Sequence, residues 1–483
     1  MKMRRLALAL AGAAAIALLS PATALAAPAP APPSTFKLPN GTTFNPQTAK
    51  CATVKTTTGN SERCVQVQRL PLKYLTSAQS AERQSMMARA PQETRASAAA
   101  LPTAPAECGF STTEFANTFT ASPSRFLSCA DSLLSLTVFQ ISPFPELLGE
   151  FFWEDQQWVD ESAASLTWTH GLQVLGYTEL AFGDLADGVS GEMYSGCFLA
   201  EGICSDASLG EPDPQTVAVL PGGIYNFGWD ESDTGSALTE AGAVDTLNPF
   251  LGVDWNIAAA GQTASFTDVG ALDERCDNAA QTDAGDPGDD STVPPVDTGP
   301  GCVDQNNIPT LFLSLGTYGA SAALVQWAQV NESAHWGLQG VGQPLTRLAN
   351  QATQRSNRTT ICGTSVFTPD PALDTALVPY KDQDSCDEFP FAATYQSGAQ
   401  TGVTSGTACA QLTVVQTGTS NNPDNEATDW AAVTTTGTPT LTENCVRGHV
   451  PLALNSKAGG AYGRFVQANR LLNMGKFWVA VTE

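Results

Sequence analysis

The chain has 483 residues, with 48 Asp plus Glu against 23 Lys plus Arg, 12 Cys and 3 His. At roughly 100 to 200 residues per domain this length allows two or three domains, and 42% hydrophobic content is enough to build cores, which excludes full-length disorder and a mini-protein scaffold. Glycine without a three-residue period excludes collagen, and no apolar run after the N-terminus approaches the roughly 20 residues of a membrane helix.

Residues 1–26 read as a secretory signal: Lys2, Arg4 and Arg5 precede an apolar stretch, and Ala24, Leu25 and Ala26 form a small-residue cleavage site. With no lipobox cysteine near that site, release from the cell is expected rather than tethering. Removing the three basic residues leaves 20 against 48 acids, a net charge of −28, which globally repels nucleic acid. All 12 cysteines lie beyond residue 26, an even number that points to a disulfide framework in an oxidising compartment. Pairing of neighbours gives local loops such as Cys51 to Cys64, Cys197 to Cys204 and Cys276 to Cys302, although spacing leaves the connectivity open. No C-x-x-C pair occurs, and three scattered histidines do not make a zinc site.

Residues 27–107, rich in Ala, Pro, Ser and Thr, read as a linker or propeptide. From 108 to 302 the pattern turns to strands. Leu166, Trp168, His170, Leu172 and Val174 alternate with small polar residues, and the repeated Gly, Asp and Pro punctuation suggests an antiparallel β-sandwich-like region. His170 falls on the apolar face, where a hydrogen-bonded core histidine is favoured over a catalytic one. Between Cys276 and Cys302, six Asp residues from Asp277 to Asp297 read as a solvated loop, with calcium ligation as the rival. Residues 303–360 read as a helical connector: Leu324, Trp327, Ala328 and Asn331 share helical spacing, and 345–352 continues the helical pattern. A final block, 361–483, follows a boundary near 360.

Chemistry concentrates in that block. Asp387 and Glu388 stand beside Cys386 and directly before Phe389-Pro390-Phe391. Residues 447–476 carry Arg447, Lys457, Arg464, Arg470 and Lys476 without one acid, a local inversion of the chain's charge that suits phosphate. Residues 450–454 read as a strand, Asn455 as a helix N-cap, 457–472 as a helix and 477–481 as a returning strand.

The segments CDEFPFAATYQSGA (386–399) and LALNSKAGGAYGRFVQANRLLNMGKFWVAV (452–481) resemble the core of the NucA/NucB-type deoxyribonucleases, secreted enzymes of the ββα-metal (His-Me finger) superfamily. The resemblance covers roughly 362–483 and implies an α+β protein whose C-terminal domain is a metal-dependent nuclease acting on extracellular DNA, as a monomer and away from membranes. By that resemblance Asp387 is the base that deprotonates a water, and Asn455 ligates a divalent ion, Mg²⁺ or Mn²⁺. Glu388 supports the metal shell, orients Asp387 or has a structural role. Arg447, Lys457, Arg464 and Arg470 hold flanking phosphates with little sequence preference. Two departures stand out: Gln396 replaces the family's Glu, and an insertion, 400–444, separates the motifs. His449, six residues before Asn455, reads as a structural or phosphate-contacting residue. The rival readings are a non-catalytic extracellular binding protein on the same fold, and a carbohydrate-active enzyme suggested by Trp153, Trp158 and Trp168.

Overall fold

The structure is a computed structural model that describes residues 35–483 apart from 38–42, 46–48, 57–58, 97–101, 103, 111–114, 116–118, 178–188, 200–203, 209–214, 219–221, 240–241, 258–260, 268–271, 279–298, 377–382, 417–429 and 435–437. Residues 1–26, expected to be an export signal, most of the Asp-rich loop and the acidic part of the insertion lie outside the described residues. The protein is a strand-rich α+β molecule with several disulfides.

Two antiparallel sheets fill the N-terminal part. One runs in the order Cys204–Ser208, Ile224–Asp233, Thr167–Gly176, Glu146–Asp160, Leu127–Ser142, Gly59–Leu70, Lys50–Thr56, and the other includes Val189–Leu199, Val244–Ile257, Glu274–Asp277 and Gly301–Asp304. They share one core, in which Leu134, Trp153 and Trp229 of the first sheet meet Leu251, Val253 and Trp255 of the second. Trp153, Trp158 and Trp168 are all buried, so none offers a platform to a sugar. His170 is also buried, with Nδ1 3.1 Å from Glu231 Oε1 and Nε2 3.3 Å from Gln157 Oε1, a core histidine with both ring nitrogens engaged.

Residues 27–107 are not a plain linker. Lys50–Thr56 and Gly59–Leu70 form a hairpin closed by Cys51–Cys64, and Gly59–Leu70 joins the first sheet beside Leu127–Ser142. The helix Ser77–Ala96 is pinned by Arg83, whose guanidinium reaches Glu154 at 2.8 Å and Asp131 at 3.0 Å. The strands pair through backbone groups and bury few side chains, so their polar sequence carries little apolar period.

The C-terminal part is built from β1 (Thr310–Ser314), α1 (Leu315–Asn331), β2 (Leu345–Thr346), α2 (Gln351–Cys362), β3 (Asp384–Phe389), β4 (Ala410–Gln416), β5 (Trp430–Thr434), β6 (Val446–Pro451), α3 (Leu452–Ala468) and β7 (Lys476–Thr482). One sheet has the order β3-β6-β4-β5, and β1-β7-β2 forms another. Helix α1 is central: Leu324, Val325 and Ala328 share a core with Leu311 of β1, Phe389 of β3, Val446 and Val450 of β6, Phe465 of α3 and Val479 of β7. A boundary near 360 therefore cuts through this core. Gly319 lets α1 kink with φ of 44°, and a Cβ there would sit 2.9 Å from Leu454 and Trp430. Residues 345–352 are not one helical connector. Pro344 favours extended backbone, Leu345 and Thr346 pair with β7, and α2 begins only after Asn350, whose side chain accepts from Thr353 N at 2.9 Å.

The insertion adds β4 and β5 to the sheet, and Cys409–Cys445 closes its base. Cys108–Cys129, Cys276–Cys302 and Cys362–Cys386 are also bonded, as is Cys204. Among the described residues no helix is long and apolar enough to cross a membrane.

Candidate active site

Strand β3 pairs antiparallel with β6, setting Asp387 opposite Gly448, Glu388 opposite Arg447 and Cys386 opposite His449. Helix α3 follows β6 directly, so strand, strand and helix form one unit despite the insertion. The helix starts earlier than the sequence suggests. Pro451 is its N-cap, with φ of −57° preset by the ring, so Asn455 stands inside the helix rather than capping it. From there its Nδ2 donates to Cys386 O at 2.8 Å and to Ser385 Oγ at 3.2 Å. Those two bonds fix the amide against β3, and its Oδ1 accepts nothing among the described residues.

Side chains alternate along β3. Ser385, Asp387 and Phe389 face α1 and α3, as the Asn455 bond to Ser385 and the place of Phe389 in the shared core require. Asp384, Cys386 and Glu388 face α2, to which Cys386 is tied through Cys362. Asp387 and Asn455 thus lie on one side of the strand, separated by a single residue of backbone, and Glu388 leaves from the other.

Burial pushes the Asp387 carboxyl up to about 6, while the Ser321 hydroxyl, the Glu388 N–H at 2.9 Å and Arg358 act against the rise. Burial pushes Glu388 up to about 8, with Arg358 opposing and Asp387 adding to it. Glu388 is buried and neither of its carboxylate oxygens has a hydrogen-bond partner. Arg358, exposed on α2, is the basic group that acts on both carboxylates. The sequence analysis does not single it out, although α2 carries the signal: its 12 residues include Arg355 and Arg358 and no acid.

Four expected phosphate contacts separate into two kinds. Arg447 is buried and donates to Gln411 Oε1 at 2.8 Å and to Ile361 O and Val366 O at 2.9 Å, stapling the end of α2 to the sheet. Arg470 is fully buried and donates to Asp277 Oδ1 at 2.7 Å, Ala163 O at 2.6 Å and Gly299 O at 2.9 Å, so it joins the C-terminal part to the sandwich. Neither is open to a substrate phosphate. A local excess of basic residues in a sequence says nothing about burial, and both side chains are structural where the resemblance implies phosphate contacts. Lys457 and Arg464 are exposed. At about 100° per residue they lie roughly 160–180° around α3 from Asn455, on its far side.

His449 holds Asp384 Oδ2 at 2.6 Å and packs at a tilt against Phe367 with ring centroids 4.5 Å apart, on the α2 face of the sheet, in a structural role. Gln396 accepts from Thr346 N at 2.8 Å and donates to Thr346 Oγ1 at 3.2 Å, which commits its amide to β2.

The donor set is sparse. Among the described residues no group of three His, Cys, Asp or Glu could hold a metal ion. One amide oxygen beside one carboxylate suits a hard cation that keeps most of its waters, as Mg²⁺ does.

The chain matches no family model, no curated protein and no solved structure.

Proposed function

We propose that the protein is an exported, divalent-metal-dependent endonuclease of the NucA/NucB ββα-metal kind, hydrolysing DNA with little sequence preference. The observation that carries the reading is the seating of Asn455: its amide N–H groups are anchored on β3 next to Asp387, on the same side of the strand. Asn455 Oδ1 would hold Mg²⁺ or Mn²⁺, whose charge offsets the negative charge that develops on the phosphate. Asp387, ionised above about pH 6, takes a proton from the water that attacks phosphorus, and the 3′ oxygen leaves. Arg358 supplies the positive charge beside the carboxylates. Five described disulfides fit the oxidising compartment implied by the segment 1–26.

A second reading, a non-catalytic extracellular binding protein on the same scaffold, is favoured by the commitment of Arg447, Arg470 and Gln396 to internal bonds. Nicking of supercoiled plasmid separates the two. With Mg²⁺ or Mn²⁺ the protein converts plasmid to open circles, and Asp387→Ala and Asn455→Ala each slow this by roughly 10²-fold or more. Absence of nicking in every divalent metal supports the binding protein, and nicking that survives both substitutions rejects the site.

A further inference from the structure

At the far end of α1, away from the residues assigned to catalysis, the electrostatics run against the fold. Glu332 is the C-cap of α1, and the last turn of that helix has no basic residue. A helix C-terminus carries partial negative charge and favours cations, so a carboxylate is the unfavourable choice there. Glu332 is also fully buried, and neither of its carboxylate oxygens has a hydrogen-bond partner. The group facing it is a second carboxylate, Glu443, whose backbone N–H and carboxyl both act on Glu332.

Glu443 is held in its ionised form. Its Oε1 accepts from Thr440 N at 2.7 Å and its Oε2 from Thr442 N at 3.1 Å, and these N–H groups keep its carboxyl below the usual range. Glu332 moves the other way, up to about 7, through burial and the Glu443 charge. Neither carboxylate forms an ion pair among the described residues. Buried charge of one sign without a counter-charge is costly, and a buried polar group without a partner calls for an ion or a water.

We propose that Glu332 and Glu443 bind a divalent cation of the calcium class, which ties the end of α1 to the returning arm of the 400–444 insertion. Calcium takes roughly six to eight oxygens from carboxylates, backbone carbonyls and water, so two carboxylates at a carbonyl-rich helix end are a suitable nucleus. The half-buried position of Glu443 leaves the pair within reach of solvent. Ser333 N donates to Leu441 O at 2.9 Å, so helix end and arm are already in contact, and the cation removes the repulsion across that contact. The site is independent of the nuclease reading.

The test is calorimetric titration with calcium, together with thermal unfolding in chelator and in millimolar calcium, for the full chain and three variants. The unaltered protein is expected to bind calcium saturably and to unfold at a higher temperature with it. Glu332→Gln and Glu443→Gln lose both responses, while Asn455→Ala keeps them, which separates this ion from one at the catalytic site. In chelator Glu332→Gln is expected to be at least as stable as the parent, because it removes the repulsion. Should it fail to fold, Glu443→Gln, altered at a half-exposed position, decides alone. No calcium response in the unaltered protein, an undiminished response in the foldable Gln variants, or a response lost only in Asn455→Ala overturns the proposal.

Discussion

A guanidinium in the interior needs an acceptor for each N–H, and Arg470 finds them in Asp277, Ala163 and Gly299, three places in the N-terminal part. Removing it takes from the buried Asp277 a cation at 2.7 Å, beside Arg275 at 2.9 Å. Arg470→Ala is therefore expected to lower the unfolding free energy by about 3 kcal/mol, read by chemical denaturation, whereas Lys457→Ala changes it by less than about 0.5 kcal/mol. Asp387→Asn keeps the shape of the site and removes the proton acceptor. It should cut plasmid cleavage by roughly 10²- to 10⁴-fold with DNA affinity retained, and a parallel loss of affinity would mean that Asp387 serves binding instead. Lys457→Ala and Arg464→Ala should leave cleavage unchanged, since both lie on the far side of α3.

The elements that could be read from sequence are those whose side chains carry a period. The alternation from Leu166 to Val174 became the strand Thr167–Gly176, the apolar run after Lys476 became β7, and the spacing of Leu324, Trp327 and Ala328 became α1. The hairpin of Lys50–Thr56 and Gly59–Leu70 was hidden because its bonds are mostly backbone to backbone. The N-cap of α3 lies four residues before Asn455, the cap that the sequence suggests, because the fixed φ of Pro451 sets the helix first. Asp387 and Asn455 could be named from their motifs, but their shared side of β3 depends on pairing across the insertion, which no local pattern encodes. Cys409–Cys445 spans 36 residues and holds that insertion at its base. Replacing both cysteines with Ser should cost about 3–4 kcal/mol by loop-closure entropy, measured as a fall in the denaturation midpoint under oxidising conditions. An unchanged midpoint would show that β4 and β5 hold the loop through their ladders alone.

Across the whole molecule, buried carboxylates set the response to pH. Burial raises Glu274 to about 7 and Asp233 to about 6, and it lifts Glu161 and Asp131 as well. Between the ordinary carboxylate range and these raised values the folded chain holds protons that the unfolded chain releases. Their stabilising contribution is present in mild acid and is lost as pH rises through about 6 to 7. The formal net charge of −25 acts in the same direction through self-repulsion. Thermal unfolding should therefore occur at a higher temperature near pH 5 than near pH 8, within roughly the range where protein stability commonly peaks; the opposite order would mean that these carboxylates stay ionised in the fold. The nuclease reading requires one cation beside residue 455, facing residue 387. Anomalous scattering from crystals soaked in Mn²⁺ tests that most directly: a peak is expected at coordination distance from Asn455 Oδ1 on the Asp387 side of β3, and well-ordered crystals with no peak there, or with manganese only on the Glu388 side, would contradict it.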